Sequence, residues 1–285
     1  STSVSKYTLS LPPTSQTITC TRQPGVWHTT NPFVFNSSGG FGAGTVSFYA
    51  FAWDNQPTHV WTGAEWVWAS STLTVNAVSG PEPYYLHLTG YNDEYVMNGS
   101  LDLGPYYFDS SAPGAPVVAD DGDDTSSPTQ VHAMWPASDP ESGVAVYQYA
   151  VGTSPGGSDI VGWTQTSESD GTIAVPEQPV GTVLYVSAKA RNNAGLWGPV
   201  GTSDGITVGK LVESAGEAKG MADGSAIRLD SAIVTAVFTD CFYAAHGDSP
   251  CGIRVDLGSS FSIGDSVNIR GKLATVAGER RLVDA

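Results

Sequence analysis

The sequence predicts an all-β chain, two tandem antiparallel β-sandwiches followed by a small β-barrel, and three observations carry that prediction. Composition is the first: 285 residues with 33 Gly and 18 Pro, and many Thr, Ser, Val and Tyr, favour short strands joined by turns over helices. The second is strict alternation of apolar and polar residues, clearest in Val144 to Val151 and in Gly181 to Arg191. The third is an internal repeat. Tyr85-Leu-His-Leu-Thr-Gly-Tyr-Asn92 aligns with Tyr185-Val-Ser-Ala-Lys-Ala-Arg-Asn192 at an offset of 100, and Tyr49-Ala-Phe-Ala aligns with Tyr147-Gln-Tyr-Ala at an offset of 98.

In chain order, residues 1–14 form an N-terminal extension in which Lys6 to Leu11 alternates like a half-buried strand before Pro12-Pro13. Residues 15–112 make the first sandwich, and Ser111-Ala-Pro-Gly-Ala-Pro116 is a short, stiff linker. In the second sandwich, residues 113–209, Trp135 lies on a strand ending at Pro136. A turn follows at Asp139-Pro140-Glu141-Ser142-Gly143, where Pro sets φ and Gly supplies a positive one. Residues 210–285 have another rhythm: one long strand from Ala226 to Phe238, then Cys241-Phe-Tyr-Ala-Ala, Gly252-Ile-Arg-Val-Asp-Leu, Asp265 to Ala274, and a final Glu279-Arg-Arg-Leu-Val. Charge and tryptophan change together near Gly209. Residues 1–209 hold four basic and eighteen acidic residues and all eight Trp; residues 210–285 hold eight basic and ten acidic, and no Trp.

On the alternating strands, Trp135, Tyr185 and the Asn192-Asn-Ala-Gly-Leu-Trp197 turn, residues 113–209 resemble a fibronectin type III domain. The resemblance implies that Trp135 packs in the core and that Tyr185 forms a tyrosine corner. Trp27-His-Thr-Thr-Asn-Pro-Phe33, Tyr84-Tyr-Leu-His-Leu88 and Gly104-Pro-Tyr-Tyr-Phe-Asp109 resemble Ig-like domains of bacterial extracellular proteins. The phrase order of residues 223–285 resembles OB-fold domains at the ends of secreted bacterial proteins, which by class implies oligonucleotide or oligosaccharide binding. Such modules carry many unrelated roles, so the resemblances speak to fold more than to function.

A net charge of −16 opposes general attraction to nucleic acid or anionic membrane, both of which need a basic surface. No apolar run reaches the eighteen residues of a membrane span. The start at Ser1 without Met is expected of a mature secreted protein or an excised piece. Cys241 and Cys251 bracket a hairpin-like loop and are expected to form a disulfide, consistent with an oxidising compartment; Cys20 is expected to be a buried thiol. Neither CxxC nor a Cys/His cluster occurs, His28, His59, His87, His132 and His246 are scattered, and no hydrolase, zinc-protease or nucleotide motif is present. The reading is of a non-enzyme without cofactor or metal site. Asp120-Asp121-Gly122-Asp123-Asp124 lacks the spacing of a calcium loop and is read as a solvated turn.

Two features point to function. Trp53, Trp61, Trp66 and Trp68 are candidates for a sugar-stacking surface, with Trp66 and Trp68 on one strand face. Tyr7, Leu9 and Leu11 would line a donor strand that fills an open edge of the next subunit's unfinished barrel, giving a head-to-tail filament. The classes weighed are therefore a secreted or cell-surface structural protein whose partner is itself, and a carbohydrate-binding, non-catalytic region of a secreted hydrolase. An OB-type binder is the third alternative, weakened by a barrel net charge of −2 and a single adjacent aromatic pair, Phe242-Tyr243.

Overall fold

A computed structural model describes residues 8–42, 45–70, 72–246, 251–258 and 260–284. It holds two sandwiches and a barrel, in two compact units: residues 1–113 with 139–144 and 192–196, and residues 114–138, 145–191 and 197–285.

The first sandwich is built from β1 (Ile18–Cys20), β2 (Trp27–His28), β3 (Phe33–Ser37), β4 (Phe48–Asp54), β5 (Trp66–Trp68), β6 (Thr72–Val75), β7 (Tyr84–Tyr91) and β8 (Met97–Phe108). One sheet runs β1-β3-β6 and the other β2-β8-β7-β4-β5. Alternation sends Phe33 and Phe35 of β3, Tyr49 and Phe51 of β4 and Leu86 and Leu88 of β7 into the space between the sheets. This core is largely aromatic, with Phe33 against Trp53, Tyr106 and Phe108 at centroid distances of 5.4, 5.6 and 6.2 Å. Large rings fill a sandwich that has few long aliphatic side chains. Cys20 sits at its edge, and burial pushes its thiol up, in keeping with a structural cysteine.

The second sandwich comprises β9 (Ala119–Asp120), β10 (Asp124–Thr125), β11 (Gln130–Met134), β12 (Val144–Gly152), β13 (Val161–Thr166), β14 (Asp170–Ala174), β15 (Val183–Asn192), β16 (Gly201–Thr202) and β17 (Ile206–Val208). Its sheets are β14-β11-β9 and β10-β17-β15-β12-β13, with β16 on β15. Trp135 is 1% exposed, as expected. Tyr185 is not a core corner. Leu184, Val186, Ala188 and Ala190 point inward, so period two puts Tyr185 on the outer face, its ring over Gly205, and its hydroxyl makes no hydrogen bond among the described residues.

The barrel follows: β18 (Lys210–Leu211), α1 (Ala215–Gly220), β19 (Ala226–Val237), β20 (Phe242–Ala245), β21 (Gly252–Val255), β22 (Ser266–Val276) and β23 (Glu279–Val283). The circuit β19-β20-β21-β23-β22 closes because β22 pairs back onto β19, with β21 and β23 parallel. Helix α1 is N-capped by Ser214, whose Oγ accepts from Glu217 N, and the Glu217 carboxylate reaches back to accept from Glu213 N, the residue before the cap. Its Ala215 and Ala218 are fully buried against Ile227, Leu229 and Ile253. Asp124, expected in a solvated turn, is instead an anchor within the second unit, accepting from Leu211 N at 3.0 Å and pairing with Arg228 at 3.4 Å.

Two expectations are corrected by this topology. Every strand of the circuit β19-β20-β21-β23-β22, β23 included, has a partner on both sides, so among the described residues the circuit leaves no open edge beside β23 for a donor strand to fill. The Cys241–Cys251 disulfide is also not formed. Phe242 stands opposite Val255 and Ala245 opposite Gly252, which puts the two cysteines at opposite ends of the hairpin. Five residues of strand are about 17 Å, far beyond the roughly 4.4–6.8 Å between Cα atoms that a disulfide bridges.

Candidate functional site

Strand β4 positions the site because its two faces serve different chemistry. Tyr49, Phe51 and Trp53 face the sandwich interior, while Ala50, Ala52 and Asp54 face outward. Edge strand β5 pairs with β4 in the register Tyr49 to Trp68 and Phe51 to Trp66. Trp68 thus closes over the core at 2% exposure and is unavailable to a ligand, which corrects its assignment to a stacking surface. Trp66, at the strand's other end, is 68% exposed. Trp53 lies half buried behind it, donating Nε1 to Asn76 O at 2.9 Å and stacking on Tyr84 at 5.1 Å with an 18° interplanar angle.

Trp66 is a ridge between two pockets. On one side a cleft of about 440 Å³ is lined by Phe51, Trp53, Thr74, Asn76 and Tyr84. On the other a pocket of about 350 Å³ is lined by Ala52, Asp54, His59, Thr62, Ala64 and Glu65, and both share Phe51, Trp53 and Trp66. These volumes fall in the range of small-ligand sites.

The wall of the second pocket is the loop 55–65, and Glu65 organises it. Its Oε1 accepts from Thr62 N at 2.6 Å and from Thr62 Oγ at 2.9 Å, and its Oε2 accepts from Gly63 N at 2.9 Å. The Thr62 backbone N–H is the main reason its carboxyl is held down at about 2, below its ordinary 4.5. A carboxyl whose folded pKa lies below its unfolded one contributes stability that is complete above the unfolded value and is lost as pH falls through the folded one. The loop is therefore expected to be held above pH 4.5 and to loosen as pH drops toward 2, visible as a change in Trp emission that Glu65→Gln, which cannot ionise, abolishes. An unchanged signal across that range would show that Glu65 does not hold the loop.

Beneath the loop, His87 of β7 is fully buried, its Nδ1 2.6 Å from Asp102 Oδ1 and its Nε2 3.3 Å from Asp54 Oδ1. His59 stacks over it at 5.3 Å and faces Asp54 Oδ2 at 3.5 Å and Glu65 Oε1 at 3.3 Å. Asp54 is thus steered by two imidazoles while its side chain keeps 37% of its exposure.

Of the four candidate tryptophans, Trp53 and Trp66 share the site, and Trp61 reaches it indirectly, edge-on to His59 at 4.9 Å. Sequence reading missed Asp54, His59, Glu65, His87 and Asp102. The signal lay in the β7–β8 hairpin, whose register sets Asp102 opposite His87. Among the described residues no group of three or more His, Cys, Asp or Glu is arranged to hold a metal.

Tyr7 lies outside the described residues. Leu9 and Leu11 are 59% and 58% exposed, on a segment held by its own sandwich: Asn92 Nδ2 donates to Thr8 O at 3.1 Å, Asn98 Nδ2 to Ser10 O, and Leu11 N to Thr45 O at 2.9 Å. The linker 111–116 makes matching contacts, Asn192 Nδ2 to Ser111 O at 2.8 Å and Pro116 against Gly201, where the first sandwich sets Pro12 against Gly99. Residues 8–12 are seated as a linker is, not detached. On the barrel, Arg254 pairs with Asp240 and Asp256, and Arg281 with Asp256 and Glu279; these acids neutralise the face on which Tyr243 lies.

Solved structures similar to this chain include titin domains, at 16% identity and a TM-score of 0.35 over 62% of this chain and 57% of that one. The chicken CNTN1 FN1–FN3 domains are similar at 14% identity and a TM-score of 0.30, over 63% of this chain and 64% of that one. The match spans less than two thirds of either. No family model and no curated protein matches the sequence.

Proposed function

We propose that the chain is a non-enzymatic, secreted or cell-surface protein whose first sandwich binds a polysaccharide. The observation that carries this is Trp66, a large ring left 68% exposed between two pockets that contain Trp53, Tyr84 and several polar groups. An indole in that setting offers its flat apolar face to the C–H face of a pyranose, and the flanking carboxylates, Thr and Asn side chains offer partners to its hydroxyls. No helix among the described residues is long and apolar enough to cross a membrane. The second sandwich and barrel serve in this reading as a structural stem.

Titration of the intact chain with a panel of soluble polysaccharides, followed by Trp emission, is expected to give a saturable change with at least one of them. Trp66→Ala should weaken that binding about tenfold or more, a loss of hot-spot size, while leaving the unfolding midpoint nearly unchanged, since an exposed ring contributes little to the core. Absence of any response across a broad panel would remove the proposal.

A further inference from the structure

The two pockets beside Trp66 differ in charge, and the difference selects among sugars, an inference that rests on the polysaccharide reading. The cleft toward Tyr84 is lined by aromatic, aliphatic and neutral polar side chains only. The pocket beneath the loop contains Asp54, Glu65 and His59, with no Lys or Arg in its lining among the described residues. Both oxygens of Glu65 are occupied by Thr62 and Gly63. Asp54 is different. Its Oδ1 takes Gln56 N at 2.8 Å and faces His87, but its Oδ2 is 3.5 Å from His59 Nδ1, too far for a strong hydrogen bond, on a side chain still 37% exposed. This leaves a half-used carboxylate oxygen in a pocket that Trp66 also lines. The whole chain, at −16, has only four basic residues in its first 209, a field that draws cations in and turns anions away.

We propose that this pocket takes the ammonium group of an amino sugar, so that the ligand is a polysaccharide carrying free 2-amino groups. The ammonium sits between Asp54 Oδ2 and the indole of Trp66, combining an ion pair with a cation–π contact, while the neighbouring sugar occupies the uncharged cleft. A uronic acid or sulfated sugar in the same place would set an anion against Asp54 and Glu65 and is excluded.

The test titrates the intact chain, below neutrality where a sugar amine is charged, with equal-length oligomers of glucosamine, N-acetylglucosamine and glucose, and with a lysine oligopeptide. Glucosamine oligomers are expected to bind about tenfold tighter than the neutral ones, with the preference shrinking as salt is raised. Asp54→Asn should erase the preference and retain neutral-sugar binding. Neutral sugars binding as tightly as glucosamine, or a preference that survives Asp54→Asn, would overturn the ammonium site and leave the polysaccharide reading intact. Failure of every sugar would end both. A lysine peptide binding as well as glucosamine oligomers, with neutral sugars inert, would show a site for charge alone and overturn the assignment to an amino sugar. Because Asp54 also supports His87, the salt series on the unsubstituted chain decides should the variant fold poorly: a preference insensitive to salt overturns the proposal.

Discussion

Replacing Trp135 by alanine is expected to cost the second sandwich about 3–5 kcal/mol. The indole is 1% exposed and is used at every edge. Its Nε1 donates to Glu168 O at 2.9 Å, its backbone N to Ser169 O at 2.6 Å, and its ring lies 5.3 Å from that of Tyr149. Gly171 supplies the space above it, since a Cβ there would stand 3.6 Å from the ring. Gly171 has no side chain to fill the void on that side, which puts the cost toward the upper end of the range. Trp135→Phe should keep most of the packing and lose the hydrogen bond, a loss of about 1 kcal/mol for the bond itself. Denaturant unfolding of the three proteins measures both steps. An alanine variant with an unchanged midpoint would place Trp135 outside the core and break the assignment of the strands around it.

The repeat that made the two sandwiches legible in the sequence has a physical basis in the structure. Tyr85 and Tyr185, matched at an offset of 100, each lie against a glycine with positive φ, Gly104 at +149° and Gly205 at +100°. A side chain at either glycine would clash with the ring and strain the backbone, so Tyr and Gly are required together. Asn92 and Asn192, two residues of the same alignment, each cap the turn that follows: their Oδ1 atoms accept from Val96 N and Leu196 N, both at 2.8 Å. Alternation identified the strands because period two is local. It also held the answer for Tyr185, whose parity with Ser187 and Lys189 marks the outer face, where Lys189 Nζ lies 4.7 Å from the centre of Trp163 and 5.1 Å from that of Trp197.

What the sequence hid is what depends on register and loop return. The barrel's last strand, Glu279-Arg-Arg-Leu-Val283, reads in the sequence as the end of an unfinished barrel, yet Leu282 is fully buried, Arg281 pairs with Asp256 and Glu279, and Arg280 pairs with Asp223. Closure follows from its simultaneous pairing with β21 and β22, which no local pattern encodes. The cysteine pair failed for the same reason: a spacing of ten residues is compatible with a hairpin, but only the register shows which residues face each other. The histidines looked scattered because His59 returns to His87 through a loop of eleven residues, and chain separation says nothing about where such a loop lands.

Asn192→Ala is the second change expected to be severe, at about 3–5 kcal/mol, because it removes one donor from two buried carboxylates. Asp109 is fully buried and Asp139 is 8% exposed, with Asn192 at 1% between them. Asn192 Nδ2 donates to Asp109 Oδ2 at 2.8 Å and approaches Asp139 Oδ2 at 3.1 Å. The remaining donors are also neutral: Ser111 N and Ser142 Oγ to Asp109, and Ser142 N and Gly143 N to Asp139. Among the described residues no Lys, Arg or His partners either acid, so hydrogen bonds replace the water these groups lose on folding. Each bond to a charged group is worth about 1.5–3 kcal/mol, and a buried carboxylate left short of donors costs more than the bond. The matched Asn92 gives an internal control. Its Nδ2 holds a backbone carbonyl, Thr8 O, and its Oδ1 accepts from Glu94 N and Val96 N, neutral contacts whose loss in Asn92→Ala should total about 1–3 kcal/mol. Asn192→Asp, nearly the same shape, removes the donor and adds a third acidic group to the cluster, and is expected to be the most damaging of the three. Denaturant midpoints should therefore fall in the order Asn92→Ala, Asn192→Ala, Asn192→Asp. An Asn192→Ala variant no less stable than Asn92→Ala would mean that the two carboxylates find other donors and that Asn192 does not hold them.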